Sequence, residues 1–393
     1  MQNEPGSSSV TEPAARPTER RGIALITALV GVVVLGVMMS GMHFSSTQEY
    51  RGTRNALIEQ RGFAVAEFGL NSEISNWDRS RNLLSNFAVG RIDSNQVYVA
   101  AGDTSWVKVS RLTENTFWVV SDGRANIGNN NLEARRQTSA FVRMAYPSIT
   151  PKGAITAAGN VRLGGSSLVN GEDVHPSGWT TCSAAAATVP AVVIPPGQTL
   201  TYGTQNVSSV PALQYDAAAS DSNTYVRYGS ESWNSLTANA DIKLTGGTYN
   251  SNIQPVGTAT TCDKSDTWNW GDPYRPGTVA GCHGYWPIVF VNGSLIINGD
   301  GYGQGILLVN GDLKINGKFE YYGLVVVRDD VDKGNGTAKI HGALYAANAT
   351  FDDPLSWING NQDVQYSKCA VESALAGSAI LVRVTQRHWA QVF

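Results

Sequence analysis

Chemistry in this chain has to come from the few places where polar side chains crowd together. The densest is "RDDVDKGNG" at 328–336. Asp330, Asp332 and Asn335 there offer oxygens to a hard cation such as calcium, but their spacing misses the EF-hand loop. A solvated loop is the simpler reading, and no metal site is expected. "GDGYGQG" at 299–305 has the glycines of a phosphate-cradling loop. A strand is expected after it, so no helix N-terminus would face an anion, and a turn fits better. The histidines His43, His175, His283, His341 and His388 are scattered without metal-ligand spacing, and no serine sits in a G-x-S-x-G elbow. Trp268, Trp270, Tyr274, Tyr285 and Trp286 crowd a Gly/Pro-rich stretch. They could stack on sugars or on a partner surface, or pack over the flank of the fold. No catalytic residue and no cofactor is expected.

The cysteines are Cys182, Cys262, Cys282 and Cys369, without any CxxC pair. A metal cluster or redox motif is therefore not indicated. Outside the cytoplasm they would form two disulfides. Three connectivities are open and sequence does not choose among them. Cys262–Cys282 with Cys182–Cys369 is favoured because the first pair closes a short loop, and four buried free thiols remain the alternative. The chain has 393 residues, a net charge of −3, only 16% charged residues and 41 glycines. That suits a β-rich exported protein of two or three domains. It gives no electrostatic case for nucleic acid.

These groups need a scaffold, and a repeat supplies one from about residue 151 to 353. Val291-Asn292-Gly293 recurs as Val309-Asn310-Gly311, and Ile297-Asn298-Gly299 as Ile315-Asn316-Gly317, both 18 residues on. "AAGNVRLGG" (157–165), "ADIKLTGG" (240–247) and "AKIHG" (338–342) are diverged copies. Leu313 and Ile315 would point inward and Lys314 outward, with Gly and Asn at the corners. One such rung cannot bury its face alone, so rungs stack. The expected domain is a Gly-rich β-solenoid, or β-helix, with insertions at 174–238 and 250–285. An antiparallel β-sandwich is the alternative. Residues 354–393 would form a C-terminal cap, a short helix and a strand that close the stack.

Ahead of the repeat, period-2 runs such as "TSWVKVSRL" (104–112) and "NTFWVVSDG" (115–123) predict an antiparallel sheet over 91–150. Before that, Ile23 to Gln48 contains no Asp, Glu, Lys or Arg. Ile23 to Met42 alone spans about 30 Å as helix, enough for a hydrocarbon core. Arg20 and Arg21 just before it favour a cytoplasmic N-terminus. Helical spacing continues through Phe63, Ala66, Leu70, Ile74 and Trp77. One continuous helix of roughly 80 Å is expected, within an element reaching from 23 to 90. Residues 1–22 are polar, with Pro, Ser and Glu, and read as disordered.

"RRG", then "IALITALVGVVVLGVMMSGM", then "AEFGL" at Ala66 to Leu70, resemble the N-terminal region of PilX-type minor pilins of type IV pili. They are also similar to the K-type tip pseudopilin of type II secretion. The resemblance implies an α+β protein whose long helix lies on its sheet. It implies cleavage between Gly22 and Ile23 by a prepilin peptidase, with residues 1–22 as the leader, and packing of the helix against other pilins. It places the protein in the inner membrane by one span and then in a pilus-like filament, extracellular or periplasmic. Ordinary pilins carry Glu at the fifth mature position, where this chain has Thr27. That departure points to a minor or terminal subunit with a role in pilus assembly or adhesion. The competing expectations are a secretion pseudopilin and a membrane-anchored β-helix that binds or cleaves polysaccharide. Two carboxylates from different rungs lining one aromatic-flanked groove would favour the last.

Overall fold

The computed structural model describes residues 23–79, 81–82, 87–100, 102–127, 132–163, 167–180, 182, 188–203, 207–275, 277, 279–332, 336–346, 355–358, 361–383 and 389–392. The expected leader, with Arg20, Arg21 and Gly22, lies outside them, as does Asn335.

Helix α1 runs over Ile23–Ser75. In its first half Leu25, Ile26, Val32, Val37 and Met42 are all more than half exposed, on every side of the helix. It is long and apolar enough to cross a membrane. The helix stops at Ser75, well short of residue 90. The polar run after it explains the stop, because Asn and Asp side chains compete for backbone groups. Asp78 Oδ1 accepts from the Arg81 N–H at 3.1 Å, and Asn82 Nδ2 donates to the Asp78 carbonyl at 2.9 Å.

The second half of α1 lies on an antiparallel sheet of β1 (Ile92–Ala100), β2 (Asp103–Arg111), β3 (Thr116–Ile127) and β4 (Leu132–Ala145), in that order. Ile58, Val65, Ala66 and Leu70 are buried there. The approach is close because each element places a glycine at the contact. A Cβ on Gly69 would overlap the Ser105 and Ser121 hydroxyls, and one on Gly123 would overlap the α1 backbone at Ala66. Arg61 fixes the edge by pairing with Asp103 at 2.8 Å.

From Ile155 onward the strands of a second sheet of 12 pair in parallel. An antiparallel sandwich does not fit that register. Ile306, Leu307, Leu308 and Val309 pair with Leu324, Val325, Val326 and Val327, an offset of 18. Leu295–Ile297 pairs with Leu313–Ile315 at the same offset. Each repeat therefore contributes three short strands, and the stack has three sides. Val291, Leu295, Leu307, Leu313, Val325 and Tyr321 fill its interior. Fully burying one such aliphatic side chain contributes about 1.5–3 kcal/mol. Between the third side and the first, Gly305, Gly323 and Gly342 form a column with φ of 115°, 137° and 146°. Each faces the carbonyl of the residue one rung away, so neither the dihedral nor the space admits a side chain.

The order of strands along the stack departs from the order in the chain. On the first side, 242–245 pairs with 289–292; 288–291 pairs in turn with 306–309, and 324–327 and 343–346 follow. Residues 344–346 then pair with Ile155–Ala157, the first strand of the repeat region, and Val192–Ile194 and Leu213–Tyr215 continue beyond it. So the segment 174–238, expected as an insertion, itself contributes strands. Its "VVI" is buried on both faces and carries no alternation to reveal it. Segment 250–285 does lie over the far end, where Trp270 plugs the interior against Phe319. Val331–Asp332 also belongs to a strand, paired with Leu313–Lys314. That part of 328–336 is not a free loop.

The C-terminal segment does not cap the stack. Helix Lys368–Gly377 lies along the outside of the first side, covering Ile306, Leu308, Leu324 and Val326 with Ala370, Val371 and Ala374. Those outward aliphatics would otherwise face water. Ile380–Arg383 and Trp389–Val392 then return to the antiparallel sheet and pair with β4. This protects an edge that would otherwise be open.

Candidate functional site

Two regions carry the residues of interest. The first is the exposed half of α1. Thr27 donates to the Ala24 carbonyl at 3.1 Å within its own helix. Its polar group is thus engaged locally, and this stretch holds no charged side chain from Ile23 to Gln48. A surface apolar on all sides can be satisfied by lipid or by other apolar helices, not by water.

The second region is the outer surface of the third side. The alternation of "KFEYY" buries Phe319 and Tyr321 and turns Glu320 and Tyr322 outward. Register then aligns Tyr302, Glu320, Lys339 and Asp363 in one column, and Tyr322, His341 and Gln365 in the next. Tyr274 reaches over them from segment 250–285. Its backbone is pinned by Asp272 Oδ1 at 3.0 Å, and Trp179 Nε1 donates to the neighbouring Pro273 carbonyl at 2.8 Å. Arg275 holds the same loop, donating to the Asp272 and His283 carbonyls at 2.8 Å each.

Glu320 is the hub. It accepts from His341 Nε2 at 2.8 Å, from Tyr322 at 3.0 Å and from the Tyr274 hydroxyl. Burial works to raise its pKa. The hydrogen bonds from His341 and Tyr274, with the His341 charge and the Tyr322 bond, outweigh it and hold the carboxyl down at about 2. Tyr322 is shifted upward by burial and by the same carboxylate, and Tyr274 likewise. The rings are locked as well: Tyr322 stacks on His341 at 4.4 Å, and Tyr274 meets Tyr302 edge-on at 4.5 Å. Two clefts of about 330 and 520 Å³ adjoin here, and both are lined by Tyr274 and Glu320.

Of the aromatics expected at the surface, only Tyr274 is substantially exposed, at 39%. Trp270 is wholly buried, and Trp286 and Tyr285 nearly so. Trp286 packs edge-on to Trp179 at 5.4 Å, and Trp268 packs on Tyr249 at 5.2 Å. Large rings so placed close the end and flank of an otherwise open stack. The residues missed from sequence are Tyr302, Glu320, Tyr322 and His341. Their common signal is the outward position of each repeat copy, visible only once "GYGQ", "FEYY" and "KIHG" are aligned at offsets of 18 and then 19 residues.

The cysteines pair as Cys182–Cys369 and Cys262–Cys282, with Cα separations of 5.5 and 4.8 Å. Asp330 sits at a corner of the stack, its N–H donating to Asp312 Oδ1 at 3.1 Å. Among the described residues, no group of three or more His, Cys, Asp or Glu side chains is placed to hold a metal.

Residues 21–71 match the family model described as PilX N-terminal. The resemblance expected from "RRG", the apolar run and "AEFGL" holds over that segment. Among solved structures, the chain is similar to the competence-associated pilin ComZ from Thermus thermophilus, with 12% identity. The match covers 85% of this chain and 98% of that one, at a TM-score of 0.23, too low to argue from. No curated protein matches the chain.

Proposed function

We propose that this protein is a minor pilin-like subunit of a type IV pilus or a related filament. In this reading the N-terminal helix is cut between Gly22 and Ile23 by a prepilin peptidase and held in the inner membrane. It is then packed against the helices of other pilins. The stack of parallel strands is a β-solenoid head, displayed outside the membrane, and the subunit assembles and presents this head without catalysing a reaction. The observation that carries the reading is the PilX-type segment at 21–71 on a helix whose first half is exposed apolar surface and whose second half lies on its own sheet. Thr27 supports a minor or terminal place, because its hydroxyl is engaged within α1 and carries no charge to pair with a neighbour.

The test is mass spectrometry of the mature N-terminus, with and without a prepilin peptidase. The expected product begins at Ile23, bearing an N-methyl group. An intact Met1 in the presence of the peptidase, or cleavage near Ser45, would overturn the reading.

A further inference from the structure

We propose that the trough on the outer third side of the stack binds a neutral polysaccharide chain laid along the stack axis. This goes beyond the filament reading and does not depend on it.

The first argument is shape and period. The two clefts share Tyr274 and Glu320 as a common wall, so they adjoin on one face and together make a trough-like surface crossing several rungs. Parallel strands repeat about every 4.8 Å along that direction. The trough therefore shows aromatic rings, carboxylates, amides and two ammonium groups at the spacing of the rungs, which suits a polymer with its own repeat.

The second argument is preorganisation. The Tyr274, Tyr302, Tyr322 and His341 rings are fixed against one another, and Glu320 fixes three of them through hydrogen bonds. Rings held rigid with an exposed edge or face provide stacking area at little entropic cost on binding. Asp300, Lys318, Lys339 and Asp363 flank them as hydrogen-bonding groups.

The third argument excludes other ligands. Glu320, Lys339 and Asp363 alternate in sign along their column, so no field favours a polyanion. The backbone of this side is used in the ladder from Gly301 through Phe319 and Ala338 to Gln362, so a peptide finds no free strand edge between those rungs. Glu320, ionised and engaged by three hydrogen bonds, is not poised to donate a proton near neutral pH, so the proposal is one of binding.

The experiment uses the full chain in detergent micelles, titrated with soluble linear β-glucan, α-mannan and galactan, with heparin as the polyanion. Saturable binding to at least one neutral polysaccharide is expected. Tyr274→Ala and Tyr302→Ala should each weaken it at least about tenfold. Tyr274→Phe, which keeps the ring and loses the bond to Glu320, should stay within about threefold. Trp118→Ala, on the remote antiparallel sheet, should change nothing. Thermal melts confirm that each variant is folded, and Tyr302→Ala decides the matter if Tyr274→Ala is not. Three results would overturn the proposal: no neutral polysaccharide bound, affinity indifferent to Tyr302→Ala, or heparin alone bound.

Discussion

At the scale of single residues, Glu320 shows how a charge can serve geometry. Its folded carboxyl titrates at about 2 against an ordinary 4.5. A depressed carboxyl stabilises the fold while ionised, so the contribution is complete above about pH 4.5 and is lost as pH falls through about 2. Glu320→Gln should therefore lower the denaturation midpoint at neutral pH, and the gap to the parent should close between those two values. Denaturant titrations across that range check it, and a gap independent of pH would show that the charge contributes nothing. None of this was legible beforehand. Tyr274 and Tyr322 had no motif linking them to Glu320, and His341 looked isolated. Their meeting depends on register between rungs and on a loop 46 residues upstream, which local sequence does not encode. Trp270 and Trp286 illustrate the converse, since composition marks a ring as apolar without saying which surface it covers.

At the scale of elements, period alone revealed α1 and the four strands it covers. The 3.6-residue and 2-residue patterns are local consequences of which face is buried. The contact between helix and sheet was hidden, because it depends on what is missing from Gly69 and Gly123. Gly123→Ala should cost about 1–3 kcal/mol by overpacking, and Gly69→Ala a similar amount. Gly52 on the same helix has nothing within 4 Å, so Gly52→Ala should be neutral or stabilising by up to about 1 kcal/mol. Chemical denaturation of the three variants distinguishes a close-packed seam from general glycine effects. Equal responses at all three positions would argue against the seam.

At the scale of the whole molecule, the 18-residue repeat was readable and its arrangement was not. Val291-Asn292-Gly293 and its later copy announce neighbouring rungs. Nothing announces that Ile155 pairs with Leu344, since closure over such a distance leaves no short-range trace. The return of the C-terminus to β4 was equally hidden. Truncation before Ile380 removes both strands that cover β4, so the antiparallel sheet should melt earlier and aggregate through its bare edge. Scanning calorimetry with light scattering reads both effects. A truncated protein that melts and stays soluble like the parent would show the return to be dispensable.

The Cys182–Cys369 bridge sets how this molecule carries load. It joins residues 187 apart, and most rungs of the stack lie inside the loop it closes. Tension between the helix at one end of the chain and the strands at the other passes through sulfur and bypasses that loop. A pull along this path can peel the short outer segments, but it cannot unravel the rungs between the two cysteines while the bond is intact. The same rungs are exposed to force if the pull is applied at the trough, within the loop. How firmly the head holds its shape then depends on where it is gripped.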